Sequence, residues 1–316
     1  MDKQEIIKAL SAEDFSPYYE EADRLCRLHK GNIIDMRAII EFSNVCARGC
    51  TYCGLNVNCN VERYQMSEEE IKETALKAIA AGYKTIVLQS GEVPNTNVLT
   101  LGRVSALIKA KGAAITISCG ELSREELVYL KEQGADRYLL KHETADEELY
   151  RRLHPDGTLT NRLNTLRDIK ALGYETGSGF MVGLPGQTVE TLAEDLLLLK
   201  EIGCDMAGIG PFIASPNTPL AGEKNGDPEM TKRAVAIARI LLPKANLPVT
   251  TSLGVLSDAE RRKAFSCGAN VIMKKVTPDE YKDKYKIYPA DIPPINIEKD
   301  RADIIKMLAE IGKKGV

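Results

Sequence analysis

Tryptophan is absent from the 316-residue chain and aromatic residues make up only 5% of it, so the interior must rest on Ile, Leu, Val, Ala and Met. Long apolar runs are missing as well. None approaches the roughly 18 residues that a membrane-spanning helix needs, and the opening MDKQEIIKAL is polar and charged, so a cytoplasmic protein without a membrane partner is expected. Neither sign of charge dominates: 42 Lys and Arg stand against 45 Asp and Glu, a formal charge of -3, which argues against nucleic acid as the main partner. No linker rich in Pro, Gly or Ser interrupts the chain, so one domain spanning residues 1–316 is expected. What is present is 44% hydrophobic residues, enough for a large core, and eight cysteines. With no leader before them, those thiols read as metal ligands or buried small residues rather than a disulfide framework.

A recurring phrase organises the sequence: a helical stretch closes on Gly and a short β-prone run follows at once. It occurs at Gly82, Gly112, Gly134, Gly173, Gly203 and Gly268, as in AAGYKTIVLQS and EIGCDMAGIGPF. Glycine suits the left-handed position that ends a helix. Adding strands at Arg37–Ser43 and Leu247–Ser252, the latter after a helix near Met230–Leu242, gives eight strands alternating with helices. That count predicts an α/β fold, a complete (β/α)8 TIM-type barrel with an N-terminal helical extension; a doubly wound open sheet is the other arrangement compatible with the pattern. Residues 1–34 form the extension, 35–288 the barrel and 289–316 a C-terminal loop and helix. Ser67 with Glu70, and Ser123 with Glu126, have capping-box spacing and fix helix starts. In such a barrel chemistry lies at the C-terminal ends of the strands.

After the first strand comes Cys46-Ala47-Arg48-Gly49-Cys50-Thr51-Tyr52-Cys53. Three thiolates on one short loop can converge on a metal centre. Zinc would want a fourth ligand, for which Cys59 is the nearby candidate, whereas an iron–sulfur cube can leave one iron open to a small molecule. The Cys-x3-Cys-x2-Cys spacing, with an aromatic residue before the last Cys, resembles the signature of radical S-adenosylmethionine (radical SAM) enzymes. The resemblance implies that Cys46, Cys50 and Cys53 hold one 4Fe-4S cluster, whose open iron is chelated by S-adenosylmethionine (SAM). One-electron cleavage then gives methionine and a 5′-deoxyadenosyl radical.

Other strand ends carry related signals. Ser90-Gly91-Glu92 resembles the superfamily's Gly-Gly-Glu segment, which meets the amino group of SAM; Ser90 replaces the first Gly. Gly179–Gln187 resembles its Gly-rich segment near the adenine, with Met181 at the Ile position and Gly186 where Glu would stand, and Thr188 can cap the next helix. Lys141-His142-Glu143-Thr144 ends the fourth strand, and Arg162 follows. A carboxylate and a guanidinium suit the hydroxyls, amine and carboxylate of such a cofactor, and an ordinary surface pair is the plainer reading. Met206, read as following strand six, could pack on the adenosyl group or be core.

Most of residues 35–290 resembles one branch of the superfamily, the FeFe-hydrogenase maturases of the HydE type, close to biotin synthase and methylornithine synthase. RAIIEFS before the cysteine loop, Arg63-Tyr64, KTIVLQSGE, YLLKHE, LYRRLHP, Thr250-Thr251 and YKIYP carry the likeness. It implies that Tyr52, Glu143, Arg162 and Met206 contact SAM, and that Thr250, Thr251, Tyr285 and Tyr288 line the far end of the cavity, where the family holds substrate. It further implies an iron-bound small-molecule substrate delivered by HydG, a product passed toward HydF, a ferredoxin-like electron donor and an anaerobic cytoplasm. Two departures matter. The last cysteine is Cys267, so no second C-terminal cluster is expected, and Gly177 and Ser90 stand where a sulfur-donating auxiliary cluster would want thiols. Cys26, Cys59, Cys119, Cys204 and Cys267 are expected as buried small residues, with Cys59 near enough to the loop to be reactive; His29 and His154 are expected to be structural. Two rival functions stay open: a methylornithine synthase-like enzyme acting on an amino acid, and a non-catalytic iron or zinc carrier.

Overall fold

In the computed structural model, which describes residues 1–316, strands alternate with helices along almost the whole chain. The strands are β1 (Ile33–Ser43), β2 (Thr85–Ser90), β3 (Ala114–Ser118), β4 (Arg137–Leu139), β5 (Glu175–Val182), β6 (Met206–Pro211), β7 (Pro248–Val249), β8 (Val271–Lys275) and β9 (Lys314–Gly315). Eight of them form one parallel sheet in the order β6-β5-β4-β3-β2-β1-β8-β7. The sheet curls into a nearly closed barrel. Between β6 and β7 the pairing is reduced to a single bridge, Met206 to Asn246, with Ala207 N–H donating to Asn246 O at 3.0 Å and Asn246 N–H to Asp205 O at 2.8 Å.

The six glycines of the repeated phrase all have positive φ, from 66° at Gly203 to 101° at Gly82, as a left-handed helix exit requires. Both capping boxes form. Strand seven differs from expectation: only Pro248 and Val249 pair in the sheet, and Thr250 stands at the start of a helix over Thr251–Leu256 without a side-chain capping bond. The reason lies across the seam. A Cβ on Gly210 of β6 would stand 2.6 Å from both Thr250 Oγ1 and Ser252 Oγ, so these side chains fill the space where a ladder would continue.

Two helices, Lys3–Leu10 and Ser16–Lys30, precede β1 and pack on the helices at Val189–Ile202 and Pro228–Leu241. At the other end a helix over Ile297–Glu310 leads into β9, which adds to β1 outside the barrel through Ile33–Lys314 pairing. The two-residue β9 was not anticipated. Alternation along β1 divides its side chains. Ala38, Ile40 and Phe42 are buried on the outer face, which packs under the helices, whereas Arg37, Ile39 and Glu41 line the interior. No helix is long and apolar enough to cross a membrane.

Candidate active site

The barrel interior is a cavity of about 950 Å³, reaching from the cysteine loop at the C-terminal ends of the strands to Arg37, Pro248 and Val271 deep inside. All fourteen residues singled out from the sequence line it: Cys46, Cys50, Tyr52, Cys53, Ser90, Gly91, Glu92, Glu143, Arg162, Met206, Thr250, Thr251, Tyr285 and Tyr288.

The loop after β1 is tied down by β2. Gly91 N–H donates to Ser43 O at 3.0 Å, Ala47 N–H to Glu92 O at 2.8 Å, and Glu92 N–H to Cys46 Sγ at 3.4 Å. Gly91 is required here because a Cβ would lie 2.3 Å from Val45 O and 2.7 Å from Cys46 Cβ. On the far side of the loop, Leu55 N–H donates to Cys53 Sγ at 3.4 Å. Cys46, Cys50 and Cys53 are partly exposed, while the other five cysteines, Cys59 included, are buried.

Burial, together with the Cys53 and Cys46 thiols beside it, pushes the Cys50 thiol up; burial pushes Cys53 up to about 12. Thiols held protonated in this way suit a strongly cationic centre, which supplies the charge that makes Cys50 and Cys53 thiolates. No three His, Cys, Asp or Glu side chains of the chain are drawn tightly enough around one point to hold a single ion. A cube places each thiolate on a different iron, so its ligands stand wider apart than those of one ion, and the lack of a tight ligand group counts against zinc and not against a cube. Cys59 lies against the loop, but its Sγ is engaged with backbone carbonyls, donating to Asn217 O at 3.4 Å and lying 3.8 Å from Cys53 O, and forms no four-ligand group with the three thiols.

Beside the loop lies a knot of four charges. Arg48 Nη2 contacts Glu92 Oε1 at 2.5 Å and Glu121 Oε2 at 3.5 Å; Arg162 reaches Glu92 Oε2 at 3.3 Å and Glu121 Oε1 at 2.9 Å. Burial disfavours the Arg162 charge, but Glu92, Tyr150 and Glu121 more than offset it and keep the guanidinium protonated. Burial raises the Glu121 carboxyl, against the pull of Arg162. Gly120, at φ +88°, makes room for Glu92, whose Cγ would lie 2.1 Å from a Cβ there. Arg48 and Glu121 were missed in the sequence. Gly120-Glu121 directly follows β3, the place where a barrel carries its chemistry, and that rule would have found it.

Glu143 is one of two non-glycine residues with positive φ, at 66°. Its backbone is pinned to β5, with its N–H donating to Gly179 O at 3.0 Å and its carbonyl accepting from Met181 N–H at 3.3 Å. Strain held this way marks a functional position. Burial would raise its carboxyl, but Lys141 Nζ at 2.8 Å holds it below the usual carboxylate range.

His154, expected to be structural, stands at the cavity wall. Its Nε2 lies 2.9 Å from Tyr52 Oη, and its ring stacks on Tyr150 at 4.3 Å between centroids. Burial lowers its pKa to about 4, so the imidazole stays neutral at pH 7. Met206 differs from its expected place. It opens β6 instead of following it, and its Sδ accepts from Arg37 Nη1 at 3.1 Å deep in the barrel.

The remaining wall is poorer in charge pairs. Thr250 Oγ1 and Ser252 Oγ are 3.1 Å apart, and Gln89 Nε2 donates to Tyr285 Oη at 3.0 Å. Burial pushes the Tyr285 and Tyr288 hydroxyls up, so both remain protonated donors.

Comparison with known proteins agrees with this geometry. The radical SAM superfamily profile matches residues 40–199. The [FeFe] hydrogenase maturase subunit HydE of Thermotoga maritima is 49% identical over 98% of this chain and 91% of its own length. The 3-methylornithine synthase of Methanosarcina acetivorans is 28% identical over 98% of this chain and 88% of its own. Among solved structures, methylornithine synthase superposes with a TM-score of 0.88 at 25% identity, covering 99% of this chain and 94% of that one. With its three-cysteine loop clamped to a Ser-Gly-Glu turn inside a parallel barrel, the chain belongs to the radical SAM superfamily and, within it, to the family of the hydrogenase maturase subunit HydE.

Proposed function

We propose that this single-domain chain is a radical SAM maturase acting in assembly of the diiron cofactor of FeFe-hydrogenase. The observation that carries the reading is the 49% identity to HydE over 98% of the chain. Membership of the superfamily implies a 4Fe-4S cluster and SAM; when bound, they supply a 5′-deoxyadenosyl radical by one-electron cleavage. Cys46, Cys50 and Cys53 are the three cluster ligands in this account. Arg162 orients the SAM carboxylate by its guanidinium fork, Glu92 and the backbone of Ser90 and Gly91 receive the amino group, and Glu143 takes ribose hydroxyls. Tyr52, fixed by its hydrogen bond to His154, closes the loop side.

Met206 packs the cavity floor, and Thr250, Thr251, Tyr285 and Tyr288 offer hydroxyls to an iron-bound, cysteine-ligated substrate without adding an acid that would compete for iron. Enclosure in the barrel excludes water and stray hydrogen donors from the radical. HydG as substrate source, HydF as acceptor, a ferredoxin-like reductant and a cytoplasmic, anaerobic setting belong to the same proposal.

The test is anaerobic maturation of an apo FeFe-hydrogenase with HydF and HydG supplied and this chain added, omitted, or added as Cys46→Ser. Hydrogen evolution only with the native chain is the expected result. No evolution from a preparation that cleaves SAM would overturn the substrate assignment. The likeness to 3-methylornithine synthase along 98% of the chain would then favour an amino-acid substrate, read by product analysis with lysine.

A further inference from the structure

One buried group of the cavity is used by none of the roles above. Glu41 sits on the inward face of β1, 2% exposed, opposite Gln89 of β2. Its Oε1 accepts from Lys275 Nζ of β8 at 2.8 Å; its Oε2 is buried and finds no partner in the protein. Of the neighbouring hydroxyls only that of Thr277 acts on the carboxyl, and none bonds Oε2. Tyr285 Oη accepts from Gln89, Thr277 Oγ1 accepts from the Glu41 backbone N–H, and the Tyr64 hydroxyl donates to the Glu41 carbonyl. A carboxylate can accept several hydrogen bonds, and one kept only to tie β1 to β8 would turn its second oxygen to a neighbouring donor. Burial raises the Glu41 carboxyl to about 7 despite Lys275, the mark of a group short of partners.

The charges around it set the chemistry of the missing partner. Lys275 and Lys286 line this side of the cavity with Asp291 of the terminal loop, while Lys274 and Arg261, which also line it, are already paired with Asp300 and Asp258. A ligand suited to this wall carries an N–H donor for Glu41 next to a negative group for the lysines.

The geometry points to Glu41 as a substrate-binding residue: its Oε2 accepts from the amino group of an amino-acid-derived substrate, whose carboxylate lies toward Lys275. The inference deepens the maturase proposal, resting on it only for the presence of an amino acid in the substrate.

The test uses the reconstituted holoprotein with SAM bound and a matched pair of probes without a free thiol, S-methyl-L-cysteine and 3-(methylthio)propionate, which differ by the amino group. Calorimetry should show the amino acid binding about tenfold tighter, the usual effect of one hydrogen bond to a charged group. Glu41→Gln should erase that preference, with the cluster's visible absorbance and the melting temperature close to native. Lys275→Gln, which keeps a donor for Oε1, should retain a preference of about threefold, since half the site survives. The inference is overturned if the native protein shows no preference, if Glu41→Gln keeps it, or if both variants lose it together with the cluster absorbance, the pattern of a purely structural tie. A preference abolished by Glu41→Gln in a protein that fails to mature hydrogenase would sink the maturase reading and leave this one standing.

Discussion

The two walls of the cavity are built on different principles. On the cysteine-loop wall the charged side chains around the cofactor end of the cavity are tied to one another: Arg48 and Arg162 each contact both Glu92 and Glu121, and Lys141 pairs with Glu143. On the wall formed by β7, β8 and the segment after β8, hydroxyls stand among lysines, and Glu41 keeps an oxygen without a protein partner. A site that always takes the same cofactor gains from side chains that hold one another in position, since little reorganisation is left for binding. A site that takes in and releases a substrate is better served by donors and acceptors whose partners arrive with the ligand.

The strongest way to break this contrast is at the thiols. Cys50→Ser should reduce bound iron to background and abolish SAM cleavage; a variant with the native iron content and visible spectrum would remove the cluster from its assigned loop. Arg162→Ala comes next, because it leaves the half-buried Glu92 and Glu121 carboxylates sharing Arg48 alone. A loss of about 1–3 kcal/mol in denaturant unfolding is expected, the usual cost of leaving a polar group short of a partner, with SAM affinity down at least about tenfold. Arg162→Lys should recover only part of either, since an ammonium lacks the fork that spans Glu92 and Glu121.

His154 sharpens the comparison through pH. The folded protein holds it neutral down to about pH 4, whereas the unfolded chain takes up its proton near 6.5. Between those values the unfolded state binds more protons, so His154 makes stability fall as pH falls, by roughly 3 kcal/mol across the window. His154→Gln, which keeps a partner for Tyr52 but has no proton to gain, should flatten the dependence of melting temperature on pH below 6.5. A slope unchanged in the variant would contradict the buried, neutral imidazole.

Gly91→Ala should cost about 1–3 kcal/mol by overpacking and displace the loop, seen as a changed cluster signal in electron paramagnetic resonance. Smallest is Thr250→Val on the opposite wall. Product formation should fall roughly fivefold, equivalent to one neutral hydrogen bond, with the directly titrated affinity for SAM unaltered. A weakened affinity for SAM would mean the two walls are not separate.

The cysteine-loop wall was largely legible in the sequence because it is assembled from short contiguous motifs at strand ends. Cys46, Cys50, Cys53 and Ser90-Gly91-Glu92 each announce themselves by spacing, and the six helix-ending glycines fix the strand count around them. Glu121 obeyed the same strand-end rule and was overlooked. The opposite wall was not legible, since Glu41 and Lys275 belong to it only through the inward parity of β1 and β8. In a strand buried on both faces nothing in the residue pattern says which set points inward. The gap between β6 and β7 was hidden for a related reason: it depends on Gly210, Thr250 and Ser252 meeting across a seam, a long-range contact without a local signature. The place of His154 on the cavity wall was not legible, because its partner Tyr52 comes from a distant loop.

The central claim, that the cysteine-loop wall alone holds cluster and SAM in a reactive arrangement, is tested most directly by counting 5′-deoxyadenosine. Anaerobically reconstituted native protein and Cys46→Ser would be given SAM and dithionite without substrate. The account predicts 5′-deoxyadenosine from the native chain and none from the variant. Equal yields from the two, or none from a native preparation with its full complement of iron, would contradict it.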